Sequence, residues 1–211
     1  MRTIGLFSIG LLIISGSCTN GNKEMKTSEE NKISTPDLIR IGFNKAVNDS
    51  AVQDSLWSVS QNGAALKQIA LSKPENKDAR FIAAEILFSR DENWMSSSGP
   101  ETADAIAELY AAVLNTNSYD GYLWGDPGKE TWPSPACAHL LSTGQTAIKH
   151  LQPLLSNDSA LHYFWSDYKE PDYKYRVCDI AAALISKLKN IQFPNEISAE
   201  KRDQFMKELT H

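Results

Sequence analysis

Apolar residues recur at the spacing of one helix face through most of the chain beyond residue 35. The stretch 76–88 is the clearest case, with apolar residues at i, i+3, i+4, i+7 and i+8: Ala79, Ile82, Ala83, Ile86 and Leu87. Residues typical of helix starts and ends bound each such stretch. We therefore predict helices that open at Pro36 and Pro100, and helices over 50–59, 64–71, 76–88, 136–141, 145–155, 173–188 and 199–209.

The order of these elements predicts an all-α fold, because no series of segments has the alternation of strands. Two of the segments, 82–87 and 180–185, share the pattern Ile-Ala-Ala-x-apolar-apolar, and each follows an arginine, Arg80 or Arg176. Adjacent small alanines let a neighbouring helix approach closely, as helical solenoids require. We predict a HEAT-like stack of antiparallel helix pairs, which is an α-solenoid-like architecture. A generic helical bundle with alanine-rich faces is the alternative.

Two further patterns resemble known proteins. Residues 144–155 read Gly-x-x-Ala-Ile-x-x-Leu-x-Pro-Leu-Leu, which resembles the first helix of a HEAT repeat with its internal proline, Pro153. With Trp-Gly-Asp-Pro-Gly at 124–128 and Tyr-Lys-Tyr-Arg-Val-Cys-Asp at 173–179, about half of the chain resembles a family of uncharacterised bacterial lipoproteins and secreted proteins with HEAT-like helical repeats. The resemblance implies a fold and a compartment, and it lends no catalytic residue. The aromatic-rich segment 159–171 departs from the family pattern.

The first eighteen residues have the layout of a secretory signal. Arg2 makes the start positive, residues 4–14 are mostly apolar, and small residues at 15–17 precede Cys18. This layout resembles the lipobox of bacterial lipoproteins, although Ser15 stands where leucine is usual. The resemblance implies that Cys18 is lipidated and becomes the mature N-terminus; an ordinary secretory signal is the alternative. We expect a signal peptide at 1–17 and a lipid-anchored protein of the bacterial cell envelope, at the outer membrane.

Composition defines the rest of the chain. Residues 18–35 carry few large apolar side chains, so we predict a flexible tether there and a single α-helical HEAT-like domain over 36–211. The chain of 211 residues is 42% hydrophobic, which is enough for a core, and its net charge is −5. An acidic chain without a basic field is a poor partner for nucleic acid. The expected partners are the membrane, through the lipid on Cys18, and another envelope protein.

Aromatic residues concentrate in two predicted loops, 119–135 and 161–173, with carboxylates between them. Such a mixture suits stacking on sugars, on cations or on the apolar surface of a partner. The candidate binding surface consists of Tyr122, Trp124, Asp126, Trp132, Tyr163, Trp165 and Tyr168. Alternatively, these rings anchor two long loops on the helices.

The remaining candidate chemistry is sparse. Cys137 and Cys178 each lie on the apolar side of a predicted helix, so a disulfide bridge and two buried thiols are both open. The four histidines lack the spacing of a metal site, and no catalytic motif occurs. We predict no catalytic residue, no metal and no cofactor.

These observations favour a membrane-anchored lipoprotein that acts as a non-enzymatic binding or scaffold module through its HEAT-like surface. The alternative from a different class is a cell-envelope or carbohydrate-directed hydrolase that uses the loop carboxylates, for which Asp120, Asp126, Asp167 and Asp172 are the candidates. A purely structural envelope lipoprotein without a ligand is the third possibility.

Overall fold

The structure is a computed structural model that describes residues 33–161, 175–194 and 198–209, all within one unit that spans 31–211. The side chain of Tyr122 is outside the description. The predicted signal peptide with Cys18, most of the predicted tether, and three aromatic residues of the second loop also lie outside the described residues: Tyr163, Trp165 and Tyr168.

Helices dominate the described part of the chain. They are α1 (Thr35–Ile41), α2 (Phe43–Asn48), α3 (Ser50–Val59), α4 (Ala64–Leu71), α5 (Lys77–Arg90), α6 (Pro100–Thr116), α7 (Pro135–Ser142), α8 (Ala147–Leu151), α9 (Val177–Lys189) and α10 (Ala199–Leu209). Short 3₁₀ segments span Gly121–Leu123, Gly144–Thr146 and Gln152–Ser156. These ranges contain no β-strand, although an isolated antiparallel bridge joins Ala160 and Arg176. The predicted all-α class is confirmed.

Two buried helices organise this architecture. In α5 every residue from Ala79 to Leu87 is buried, and α5 packs against α1, α2, α3, α4 and α6. In α9 every residue from Val177 to Ser186 is buried, and α9 packs against α7, α8, α10 and the 3₁₀ segments beside α8. Helix α6 contacts α5, α7 and α8, so it connects the two groups. The two Ile-Ala-Ala segments of the sequence therefore lie at the centres of the two groups.

A capping box at Ser34 opens helix α1. Ser34 is the N-cap of α1, and both its backbone N–H and its hydroxyl donate to the carboxylate of Asp37. Ile33, which precedes the cap, is half-buried against the core that contains Leu38. Helix α1 therefore begins at Thr35, one residue before the Pro36 at which the sequence predicts a helix to open.

Two predicted helices are broken or shortened. The predicted helix 145–155 is a 3₁₀ turn, the five-residue α8 and a second 3₁₀ turn that contains Pro153. Proline lacks the N–H that would continue the α-helical hydrogen bonds, which explains the change. The predicted helix from 173 begins at Val177 instead, because Arg176 has extended backbone and the carbonyl of Tyr175 accepts the N–H of Leu161 at 2.9 Å.

Candidate functional site

The loop between α6 and α7 is closed around a buried tryptophan. Trp124 is fully buried, and its carbonyl accepts from the Trp132 indole N–H at 3.0 Å and from the Cys137 thiol at 3.2 Å. Ser134, the N-cap of α7, donates its hydroxyl to the Leu123 carbonyl at 2.7 Å. These bonds fix the loop on the start of α7.

Two tryptophans of the predicted binding surface, Trp124 and Trp132, are buried. Trp124 is 0% exposed and presents no ring face for stacking, while Trp132 is 8% exposed and presents only a small part of its ring. The alternative interpretation, in which the rings anchor the loop, holds for both. Asp126 serves the same loop, because its Oδ1 accepts the backbone N–H of Gly128 at 2.8 Å.

A cleft of about 450 Å³ opens between loop residues 127–132 and residues 183–193 at the end of α9, and we call it the α9 cleft. Buried residues line its depth: Ala183, Ser186, Trp132 and Phe193. Exposed polar residues form its rim: Lys129, Glu130, Lys187, Asn190 and Gln192. The volume lies in the range of small-ligand sites, ~300–1,000 Å³, although polar groups form a larger part of this lining than is usual at such sites.

The end of α9 creates one wall of the α9 cleft. Asn190 adopts a left-handed conformation with φ 56°, and the Ile191 N–H returns to the carbonyl of Ser186 at 2.8 Å. This cap turns the chain towards the loop, where Ile191 is 46% exposed at the rim. Phe193 packs edge-on against Phe205 of α10, with ring centroids 5.7 Å apart, and is anchored by that contact.

One side chain reaches across the α9 cleft. The ammonium of Lys187 lies 5.9 Å from the centroid of the Trp132 ring, within the range of a cation–π contact. Lys129 on the opposite wall lies 3.9 Å from an Asp126 carboxylate oxygen, which is beyond hydrogen-bond distance. The cleft thus carries an ammonium on each wall.

A buried ionic network fixes α10 against α9 near this site. The fully buried carboxylate of Asp179 accepts two hydrogen bonds from the guanidinium of Arg176, at 3.0 and 3.1 Å, and lies 3.1 Å from Nε of Arg202. Hydrogen bonds from Arg176 to Asp179 raise the pKa of the arginine further above its usual range. Arg202 also lies over the Tyr175 ring at 5.1 Å. Burial, with a contribution from Asp126, raises the pKa of Tyr175.

A second titratable cluster lies in the core between α5, α6 and α7. The buried carboxylate of Glu85 accepts the hydroxyl of Tyr110, and its Oε1 lies 2.9 Å from His139 Nδ1. The imidazole of His139 stacks on Phe88 with centroids 4.2 Å apart. Burial and the neighbouring Glu85 raise the pKa of Tyr110 well above its usual value.

Cys137 and Cys178 are free and buried, so the disulfide bridge that the sequence left open is not formed in the structure. Burial raises the pKa of Cys137 to about 12 and that of Cys178 to about 11. Cys137 lies two residues before His139 and close enough to Glu85 to sense its charge. A thiol that stays protonated is a poor nucleophile, so this Cys-His-Glu arrangement does not make an activated cysteine.

Several residues of the α9 cleft have no counterpart among the predicted site residues. Of the predicted set, Trp132 lines the cleft, while the cleft's polar rim went unrecognised. The asparagine at 190, just after the last apolar position of α9, was a usable signal, because asparagine favours helix ends. Lys129 and Lys187 carried no such signal, since exposed lysines occur on any helix or loop.

The described ranges contain little that suits a metal site or a membrane-spanning helix. No group of three or more histidine, cysteine or acidic side chains there is placed to hold a metal ion. No helix among the residues described has the length and apolar character to cross a membrane. Comparisons of the chain with protein-family models, with curated proteins and with solved structures found no match.

Proposed function

We propose that this protein is a non-enzymatic binding module, held in the bacterial cell envelope by a lipid on Cys18, that contacts its ligand in the α9 cleft. The observation that carries the proposal is the cleft itself, in which the largely buried rings of Trp132 and Phe193 lie beside exposed polar groups that can hydrogen-bond to a ligand. Its described lining includes one carboxylate, Glu130, and no histidine or cysteine, and such a lining favours contact over acid–base chemistry.

We further propose that the helical body is a HEAT-like stack. The two Ile-Ala-Ala helices, α5 and α9, support this, because each is the buried centre of its own group of helices. The alanines at 83–84 and 181–183 are fully buried, which allows close helix approach. A stack of this kind leaves loops and helix ends at its edge, where the α9 cleft lies.

The alternative of a hydrolase that uses loop carboxylates gains less support. Asp126 holds the turn at Gly128 and lies beside the Tyr175 hydroxyl, which is a structural use of that carboxylate. The further candidates Asp167 and Asp172 lie outside the described residues. Binding is therefore the better-supported function.

Photocrosslinking in cells tests the proposal. A photoreactive amino acid replaces Ile191 at the rim of the α9 cleft, and a matched variant carries it at Ile39 on α1; these residues are 46% and 47% exposed. We expect a discrete adduct from position 191 and none from position 39. Equal adducts from both positions, or none from position 191, would contradict binding at the cleft.

A further inference from the structure

The rim of the α9 cleft carries more positive than negative charge. Lys129 and Lys187 contribute two ammonium groups against the single rim carboxylate of Glu130, while Asp126, 3.9 Å from the Lys129 ammonium, offsets part of the charge of that lysine. An ammonium on each wall of the cleft offers a partner to an anion that lies between them. Lys187 is held at the mouth by its contact with Trp132, so less side-chain freedom is lost when it meets a ligand.

The carbonyl groups at the end of α9 do not oppose an anion strongly. A helix C-terminus normally repels negative charge through its unpaired carbonyls. Here the carbonyl of Lys187 accepts the N–H of Asn190 at 3.1 Å, and that of Ser186 accepts the N–H of Ile191 at 2.8 Å. These two carbonyls are thus already engaged.

The other lining groups indicate what accompanies the anion. Asn190 and Gln192 are exposed side-chain amides, and each offers a donor and an acceptor that match a peptide group. Glu130 is a further acceptor for an N–H. The apolar contact offered by Ile191 and the edges of Trp132 and Phe193 is small, which suits one apolar side chain better than a long acyl chain.

We propose that the α9 cleft binds the C-terminal end of a peptide, with the carboxylate between Lys129 and Lys187 and the last apolar side chain against Trp132 and Phe193. This inference rests on the proposed function, since it names the class of ligand for the same cleft. Capture of a terminal carboxylate together with one side-chain pocket is a known mode of peptide recognition. Glu130, Asn190 and Gln192 then hydrogen-bond to the peptide backbone.

The test uses the full chain and a defined pool of probes. The pool contains acetylated tetrapeptides that end in Ala, Val, Leu or Phe, each as the free acid and as the C-terminal amide, together with octanoate. Bound compounds are separated by ultrafiltration at low salt and counted by mass spectrometry. We expect the peptide acids to be enriched about tenfold or more over the amides, because a charge-assisted contact is lost in the amide.

Variants assign the effect to the cleft. The double variant Lys129→Gln, Lys187→Gln should lose the preference for acids, Lys129→Arg, Lys187→Arg should keep it, and Lys45→Gln on α2 should match the wild type. Equal binding of acids and amides, enrichment of octanoate alone, or a preference that survives the double glutamine variant would each overturn the proposal. In those cases a photocrosslinked adduct from position 191 but not from position 39 would still support binding at the α9 cleft. The proposal of a peptide C-terminus can therefore fail while the proposal of binding at the cleft stands.

Discussion

The Nδ1 atom of His139 lies 2.9 Å from Oε1 of Glu85, although 54 residues separate them in the chain. The same oxygen accepts the hydroxyl of the fully buried Tyr110. One carboxylate thus ties α7 and α6 to α5, and it does so inside the apolar core. Burying a carboxylate destabilises the fold unless hydrogen bonds compensate it, so removing one donor should clearly lower the free energy of unfolding.

Tyr110→Phe should lower the free energy of unfolding by about 1.5–3 kcal/mol, because it removes one hydrogen bond to a charged and buried acceptor. Denaturant unfolding at neutral pH measures this. The matched control is Tyr119→Phe, since the Tyr119 hydroxyl donates to the partly exposed Asp78 at 3.2 Å. Tyr119→Phe should lower the free energy of unfolding by less than Tyr110→Phe does. An equal loss in both variants would contradict a stabilising role for the buried hydrogen bond to Glu85.

Asp104 should make the free energy of unfolding depend on pH in the acidic range. Its carboxylate accepts from Lys149 at 2.8 Å, from His150 at 2.7 Å and from Thr146 at 3.1 Å, which joins α6 to α8. The hydrogen bond from Lys149, then that from His150, lowers the pKa of Asp104 well below its usual value. Below about pH 4 the unfolded chain binds this proton more readily than the folded chain, so stability falls with pH there.

The measurement compares wild type with Asp104→Asn from pH 7 down to pH 2. The difference in unfolding free energy should be full above about pH 5 and should shrink as the pH falls below about 4. Lys149→Gln should reduce the pH-dependent part, because it removes the main cause of the shift. A difference that stays constant to pH 2 would show that Asp104 has no such role.

The buried thiols should be unreactive in the folded protein. Because burial raises the pKa of Cys137 and of Cys178, iodoacetamide at pH 8 should label neither until guanidinium unfolds the chain. Peptide mapping by mass spectrometry distinguishes these sites from Cys18. Ser156→Cys, at an exposed position, provides the reactive control. Rapid native labelling, or a disulfide-linked pair of the two peptides, would contradict the structure.

Lipid attachment should depend on Cys18. In a bacterial host grown with labelled palmitate, the full chain should take up the label and Cys18→Ser should not, because the thiol carries the acyl glycerol in lipoproteins of the type that residues 15–18 resemble. Cys137→Ser serves as the control and should keep the label. Absence of label from the wild type would remove the proposed anchor.

The sequence predicted several helices correctly where neighbouring residues mark both the helix and its end. The predicted ranges 50–59, 64–71 and 199–209 coincide with α3, α4 and α10, because helix-favouring runs there end at clear stop residues such as Gly63 and Pro74. The burial of the two Ile-Ala-Ala segments also agrees with the close helix approach that their small side chains predict. The interruption at Pro153 was not predicted, since a helical apolar pattern continues through the 3₁₀ turns.

The site depended on contacts that sequence does not encode locally. The sequence left open whether Trp124 belongs to a binding surface or anchors the loop, and its full burial, with the hydrogen bonds its carbonyl accepts from Trp132 and Cys137, favours anchoring. The walls of the α9 cleft come from residues 127–132 and 183–193, which are over fifty residues apart and share no motif. Their meeting is a consequence of packing.

Hydrogen exchange followed by mass spectrometry tests the central claim most directly, because it reports on the whole molecule without choosing a site. Exchange into the full chain is compared in buffer and in an extract of bacterial cell envelope. The account predicts slower exchange in the presence of the extract within 127–132 and 186–193, with α1 to α3 unchanged. Protection confined to α1 to α3, or no protection anywhere, would contradict binding at the α9 cleft.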